Sequence, residues 1–99
     1  MSKESKKRVI EIENALIGSY EVMRNLAIDF SMVKKLNLEL KKYAKGAIAN
    51  DLKVSAEFLK TAFKTSLDTA QINIAYMHNL KKVKLFKKEL KNIKETFNK

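Results

Sequence analysis

Apolar side chains recur every three or four positions along almost the whole chain, and this spacing restricts the fold more than any other feature. An α-helix has 3.6 residues per turn, so such spacing gathers the apolar residues on one face. Proline is absent, and the two glycines are Gly18 and Gly46. A β-rich or loop-rich fold needs more turn-forming residues than that. The sequence therefore predicts an all-α protein.

The first predicted helix carries its apolar pattern from Val9 to Phe30. Ser2 or Ser5 is expected to cap its start, because a serine side chain accepts a hydrogen bond from a free amide of the first turn. Ser31 has the same capping chemistry and directly follows the pattern. We therefore expect the first helix to end near Ser31 and a second helix to begin there.

Gly46 is the next candidate boundary, and two interpretations of it stay open. Glycine commonly follows the end of a helix, and Asn50 or Asp51 could then cap a restart. A glycine inside a helix costs only about 1 kcal/mol, however. Since the apolar pattern resumes with little loss of phase, a continuous helix over 32–65 is the alternative.

The C-terminal third of the chain carries the longest regular pattern. Ser66 or Asp68 is predicted to cap a helix of roughly thirty residues, which would span about 45 Å. Such a length, with a strict heptad, is typical of a helix that packs on a coiled-coil or bundle partner. Spacings of four and three alternate along the seam, whose members are Ile72, Tyr76, Asn79, Val83, Phe86, Leu90, Ile93 and Phe97.

Aromatic residues at helical spacing are predicted to form the core rather than a stacking surface. Phe58 alone departs from the main apolar stripe. With 99 residues, the chain has room for one domain. Residues 1–99 are thus expected to form a single helical domain, a small bundle of three or four antiparallel helices. The long C-terminal seam exceeds what the remaining chain can cover, so a homo-oligomer is expected.

Cysteine is absent, which excludes disulfide frameworks and thiolate metal sites. Glu11 and Glu13 interrupt the apolar residues that follow the basic start, so no secretory leader is predicted. Apolar runs also fall far short of the 18 or so residues that span a bilayer. We expect a cytoplasmic protein without a transmembrane segment.

The formal net charge is +10, and more than half of the excess lies in residues 81–99. Two interpretations of these lysines stay open: the solvated back of a packed helix, or a binding surface for an anionic partner. Lysines four apart repel each other, and an anionic partner would relieve that repulsion. The candidate partner-binding residues are Lys81, Lys82, Lys84, Lys87, Lys88, Lys91 and Lys94.

Lysine supplies nearly all of the positive charge, and the arginines are Arg8 and Arg24. Sequence-specific nucleic-acid readers usually rely on arginine, whose planar fork makes bidentate contacts. Nonspecific nucleic-acid binding is therefore the most that we expect of that partner class. The favoured hypothesis is a non-catalytic interaction protein whose basic C-terminal helix binds an acidic protein or another anionic surface. A small phage- or plasmid-encoded inhibitor or adaptor fits this class.

The sequence contains few residues that could support catalysis or metal binding. His78 is the one histidine, and no carboxylate lies three or four residues from it. Glu11 and Glu13 point to different sides of a helix, because they are two residues apart. Phosphate loops and nucleophile motifs are absent from the sequence. We therefore expect no enzyme activity, no catalytic residues, no metal site and no cofactor.

Three stretches of the sequence resemble the phasins, which coat polyhydroxyalkanoate storage granules. The shared order is a helical stretch with small residues, a break opened by serine, leucine and an acid, and a helix with glutamine near its start. The resemblance implies a helical, often oligomeric coat protein without a cofactor, whose granule-facing residues would include Leu52, Leu59, Phe63 and Ile72. The stretches are YEVMRNLAIDF, KKLNLELKKYAKGAIANDLKVSAEFLKTAFK and SLDTAQINIAYMHNLKKVKLFKKELKNI.

Overall fold

A computed structural model describes residues 2–99 of the protein and confirms the all-α prediction. Three helices are present: α1 over Lys3–Lys41, α2 over Ala47–Ala75 and α3 over Leu80–Phe97. Within 2–99 there is no β-strand. The third helix is the shortest, with 18 residues against 39 in α1. This difference in length exposes one end of the α1–α2 pair.

Contacts between distant residues establish an up–down–up arrangement. The amide of Asn37 on α1 donates to Ser55 on α2, 3.2 Å away, so these two helices run antiparallel across a short loop. Tyr20 of α1 meets Phe86 of α3, and later residues of α1 meet later residues of α3. The molecule is correspondingly elongated, 65 × 20 × 14 Å. None of the helices described is long and apolar enough to cross a membrane.

The start of α1 is as predicted, but its end is not. Ser2 is the N-cap, and its hydroxyl accepts from the backbone N–H of Ser5 at 3.1 Å. The predicted boundary at Ser31 is wrong, because α1 continues to Lys41. Inside the helix the Ser31 hydroxyl donates to the Ala27 carbonyl, 3.1 Å away. A serine whose hydroxyl bonds the preceding turn in this way does not interrupt a helix.

Gly46 separates α1 from α2, which decides between the two interpretations of that position. Its backbone has φ 60° and ψ −130°, a conformation that residues with a Cβ atom rarely adopt. The second helix begins at Ala47, so the predicted restart caps at Asn50 and Asp51 are not used. The Asn50 backbone N–H instead donates to the Gly46 carbonyl at 3.3 Å, as an ordinary first-turn bond.

The predicted boundary at 65–68 is also wrong, and so is the predicted long C-terminal helix. The second helix runs unbroken to Ala75, and the Ser66 hydroxyl donates to the Ala62 carbonyl at 2.9 Å. The chain breaks later, between Tyr76 and Asn79. Consequently Ile72 and Tyr76, the first members of the predicted seam, are exposed and do not pack with its later members. Its later members, in α3, do face α1 and α2.

Glu13 of α1, some 65 residues earlier in the chain, contacts this later break directly. Its carboxylate accepts from the backbone N–H groups of His78, at 2.9 Å, and Asn79, at 3.0 Å. Asn79 is the N-cap of α3, and its side chain accepts from the Lys82 N–H at 3.1 Å. Free amides at the start of α3 are thereby satisfied by one local and one distant side chain.

These hydrogen bonds predict an acid-sensitive contact. The amides of Asn79 and then His78 lower the pKa of Glu13 below its usual value, because they stabilise the charged carboxylate. The stabilisation is therefore present above the unfolded-state pKa and lost as the pH falls through the folded-state pKa. Between about pH 6 and about pH 3, the melting temperature of Glu13→Gln should therefore fall less than that of the wild type. Glu11→Gln is the control, since Glu11 is exposed and pairs weakly with Lys7. Equal pH profiles for the two variants would contradict the role of Glu13.

The hydrophobic core lies along the middle of the molecule, where all three helices meet. Two stacked ring pairs connect α3 to its neighbours: Tyr20 with Phe86, centroids 4.0 Å apart, and Phe63 with Phe97, 3.8 Å apart. Phe58 is exposed, in keeping with its departure from the apolar stripe, but Tyr43 and Tyr76 are exposed as well, so the prediction that they belong to the core is wrong. The buried apolar residues are Tyr20, Ala27, Leu59, Phe63, Leu67, Ala70, Ile74, Met77, Phe86, Leu90 and Phe97.

Candidate ligand groove between the first two helices

A groove of about 640 Å³ lies between the C-terminal part of α1 and the N-terminal part of α2. It opens where α3 stops, beside Phe97 and Asn98. Because α3 is shorter than its neighbours, no third helix covers α1 and α2 beyond this point. We call this feature the α1–α2 groove. Its lining residues are Lys34, Asn37, Leu38, Lys41, Ala49, Leu52, Lys53, Ala56, Glu57, Leu59, Lys60, Phe97 and Asn98.

The α1–α2 groove combines an apolar floor with a positively charged rim. Leucines from both helices and the ring of Phe97 form the floor, and Ala49 and Ala56 leave room between them. Four lysines lie around it, against a single carboxylate, Glu57. An apolar body with attached negative charges would match both parts. The groove lysines are Lys34, Lys41, Lys53 and Lys60.

Lys34 is the most firmly held of the groove lysines. Its ammonium lies 4.3 Å from the centre of the Phe97 ring, a cation–π distance. It also donates to the Phe97 carbonyl, one of the last carbonyls of α3. A cation is favoured there, since the C-terminal end of a helix carries partial negative charge. Lys34 thus connects α1 to the end of α3 and places a positive charge at one end of the groove.

The seven lysines predicted to bind a partner are in a different place. All seven are exposed on α3, and none of them lines the α1–α2 groove. Lys87, Lys91 and Lys94 border a shallower hollow of about 490 Å³ between α2 and α3. Exposure is compatible with the solvated-face interpretation. A partner-binding role for the seven lysines stays a prediction.

Tyr20, Arg24 and Glu89 form a polar cluster between α1 and α3. The Tyr20 hydroxyl donates to Glu89 Oε1 at 2.9 Å, and Arg24 Nη1 donates to the same oxygen at 3.2 Å. Burial, and then the hydrogen bond to Glu89, raise the pKa of Tyr20 well above its usual range. None of the three residues lines the groove. The cluster therefore fastens α3 to α1 and keeps the tyrosine protonated.

Metal and acid–base chemistry have few candidate groups in the part of the chain that the structure describes. No three histidine, aspartate or glutamate side chains there lie close enough together to hold a metal ion. His78 contributes its backbone N–H to the Glu13 contact. The lining of the α1–α2 groove is complementary to an anion with an apolar body, and Glu57 is the one carboxylate in that lining.

Sequence reasoning missed the groove lysines, although a signal for them was present. Lys34 and Lys41 are seven residues apart on α1, and Lys53 and Lys60 are seven apart on α2. Residues seven apart lie on one helix face, about 10 Å from each other. What the sequence lacked was the pairing of the two faces, which depends on how α1 and α2 pack.

Comparison with known proteins gives one family. The model of the formiminotransferase-cyclodeaminase family matches residues 1–92. No curated protein and no solved structure matches the chain. The phasin resemblance was therefore wrong, because helices rich in lysine, leucine and alanine resemble one another easily. Two residues that it implied as granule-facing, Leu59 and Phe63, are buried in the core.

The match also overturns the favoured function. Neither an inhibitor or adaptor that binds an acidic partner, nor a granule coat, nor a nonspecific nucleic-acid-binding protein agrees with a family named for two enzymatic activities. The high charge density of residues 81–99 had favoured a binding function for this segment. A high density of exposed lysine says little about function by itself, since it also solvates a packed helix.

Proposed function

The chain belongs to the formiminotransferase-cyclodeaminase family, and we propose that it is a substrate-holding helical domain of a folate-metabolism enzyme. The α1–α2 groove carries this proposal. Its volume of about 640 Å³ is typical of pockets for small molecules and cofactors. Its floor is apolar and its rim is basic, a combination that suits a ligand with a flat ring system and carboxylates.

A folate has that combination of groups. Its benzoyl group is flat and apolar, the pyrimidine half of its polar pterin ring is flat, and its glutamate tail ends in carboxylates. The rings would lie on the floor beside Leu38, Leu52 and Phe97, where apolar contact removes them from water. The carboxylates would meet the rim lysines Lys41 and Lys53, which come from different helices. Binding would therefore also hold α1 and α2 together.

The same groove limits what this domain contributes to catalysis. A ring-closing deamination needs a proton donor for the departing amine and a base for the attacking nitrogen. In the groove, Glu57 is the one carboxylate and no histidine is present. We propose that residues 2–99 hold and orient the ligand, and that further reacting groups come from another polypeptide segment. The expectation of a chain without catalysis applies, under this proposal, to the domain taken alone.

Folate binding with matched lysine variants tests the proposal. Wild-type protein is titrated with 5-formyltetrahydrofolate by isothermal calorimetry and compared with Lys41→Gln/Lys53→Gln. Two partly exposed ion pairs are worth up to about 1 kcal/mol each, so the double variant should bind about five- to tenfold more weakly. Lys81→Gln/Lys84→Gln removes the same charge outside the groove, and its affinity should stay within about twofold. Equal losses in both variants, or no binding by the wild type, would contradict the groove as the site.

A further inference from the structure

Glu57 is the exception in the lining of the α1–α2 groove, because it is acidic among four lysines. Lys53 precedes it by four residues and Lys60 follows it by three, spacings at which glutamate and lysine commonly pair on a helix. Neither of the two ion pairs formed within residues 2–99 involves Glu57, however. Its carboxylate is exposed and, in this part of the chain, is held by no cation, so it is open to a ligand in the groove.

The other polar groups of the groove differ from Glu57 in what they offer a ligand. Each lysine ammonium only donates hydrogen bonds, and the side-chain amides of Asn37 and Asn98 carry one accepting oxygen beside one donating nitrogen. The Asn37 nitrogen already donates to Ser55. An ionised carboxylate instead accepts with both of its oxygens. Glu57 is thus the one side chain in the lining that matches two adjacent N–H donors on a ligand.

We propose that Glu57 determines the specificity of the groove for a 2-amino-4-oxopyrimidine ring. Such a ring presents a ring N–H and an amino N–H side by side, and each oxygen of Glu57 would accept one of them. The inference rests on the proposed function, because the pterin of a folate contains this ring. Paired hydrogen bonds to a carboxylate are charge-assisted and fix the orientation of the ligand. They also satisfy polar donors that the apolar floor would leave unpaired.

The position of Glu57 along the groove fits this role. The hydrogen bond from Asn37 to Ser55 shows that these two residues lie level with each other on the antiparallel helices. Lys41 lies four residues from Asn37 on the loop side, and Glu57 lies two residues from Ser55 on the opposite side. At 1.5 Å per residue, Lys41 and Glu57 are separated by about 9 Å along the groove. A folate whose carboxylates meet Lys41 would therefore direct its pterin toward Glu57, away from the loop.

Charge and recognition predict opposite results when Glu57 is neutralised. Glu57→Gln makes the groove more positive, so any anionic ligand should bind at least as tightly if Glu57 acts only through its charge. If its two oxygens pair with the pyrimidine edge, a folate should bind more weakly, because the glutamine amide turns a donor toward one of the N–H groups of the ligand. The direction of the change in affinity therefore separates the two roles.

Two ligands, one with the pterin and one without it, test the role of Glu57. 5-Formyltetrahydrofolate carries the pterin, and 4-aminobenzoylglutamate keeps the benzoyl group and the carboxylates. By isothermal calorimetry, Glu57→Gln should bind 5-formyltetrahydrofolate about tenfold more weakly than the wild type, the effect of losing one hydrogen bond to a charged group. By NMR titration to millimolar concentration, 4-aminobenzoylglutamate should bind the variant as tightly as the wild type, or up to about threefold more tightly.

Glu39→Gln is the control, since Glu39 is an exposed carboxylate on α1 outside the groove lining. It removes the same charge, and its affinity for both ligands should stay within about twofold of the wild type. Circular dichroism checks that each variant remains helical. If 4-aminobenzoylglutamate binds too weakly to measure, the direction of the change for 5-formyltetrahydrofolate decides by itself.

If the wild type binds 5-formyltetrahydrofolate and Glu57→Gln binds it equally or more tightly, this inference is overturned and the proposed function stands. An equal loss for both ligands also overturns it, since Glu57 would then contact the part that the ligands share. If the wild type does not bind 5-formyltetrahydrofolate at all, the proposed function is contradicted and this inference is overturned with it. The wild-type titration alone thus distinguishes the two failures.

Discussion

Replacing Phe63 with alanine is expected to lower the free energy of unfolding by about 3–5 kcal/mol, the usual cost of truncating a buried phenylalanine. Phe63 is 4% exposed, and its ring lies parallel to that of Phe97, 3.8 Å away. Truncation removes this stack and leaves a cavity at the point where the end of α3 meets α2. Domains are typically stable by about 5–15 kcal/mol, so the variant should be near its folding threshold.

Phe58 provides a matched control for this prediction. It lies on the same helix, five residues earlier, and 74% of its surface is exposed. Phe58→Ala should therefore change the unfolding free energy by no more than about 0.5 kcal/mol. Urea denaturation followed by circular dichroism measures both variants. If the two substitutions cost the same, the packing of Phe63 described here is incorrect.

Removing the Tyr20 side chain should have a comparably large effect. Tyr20 is fully buried, stacks on Phe86 and donates to Glu89. Tyr20→Ala should cost about 3–5 kcal/mol, because it deletes the largest buried side chain on α1. Tyr20→Phe keeps the ring and removes the hydroxyl, so its cost should be about 1–2 kcal/mol. The difference between the two variants separates ring packing from the hydrogen bond to Glu89.

Tyr43→Ala is the corresponding control, since Tyr43 follows α1 and is 84% exposed. Its unfolding free energy should remain within about 0.5 kcal/mol of the wild type. Urea denaturation at neutral pH measures the unfolding free energy of all these variants. A Tyr20→Phe cost equal to that of Tyr20→Ala would show that the hydroxyl, and not the ring, holds α3 on α1.

Serine capping chemistry predicted one helix boundary correctly and two others wrongly. Ser2 caps α1 as expected, because its hydroxyl accepts from the Ser5 N–H, one of the first-turn amides that have no carbonyl partner within the helix. Ser31 and Ser66 have the same side chain and cap nothing, since each bonds the carbonyl four residues earlier. A sequence shows the hydroxyl but not which of these two partners it will have. Both false boundaries arose from that ambiguity.

The break between α2 and α3 could not be predicted from the apolar pattern, for a different reason. The heptad pattern continues through Tyr76 and Asn79, so period alone favoured one long helix. The chain turns there because Glu13, some 65 residues away, accepts hydrogen bonds from the amides of His78 and Asn79. Breaking a helix costs hydrogen bonds, and a distant carboxylate together with the Asn79 cap replaces them. Only the packing of α1 against the start of α3 brings Glu13 to that point.

The candidate site was missed for a related reason. Local charge density favoured the lysines of α3, which are clustered in the sequence and exposed to solvent. The groove lysines come in two pairs, one on α1 and one on α2, and neither pair is conspicuous by itself. The groove also depends on where α3 stops, which determines how much apolar surface is left open beside Phe97.

The sequence by itself determined the helical class, the N-terminal cap and the apolar face of α3 from Val83 to Phe97, because periodicity and capping act over a few residues. The tertiary structure decided where the second break falls, which lysines meet around a groove and which face of α1 stays uncovered. These features depend on contacts between residues far apart in the chain. Their free energy comes from burial and from satisfying amides across helices, and neither quantity can be read from local spacing.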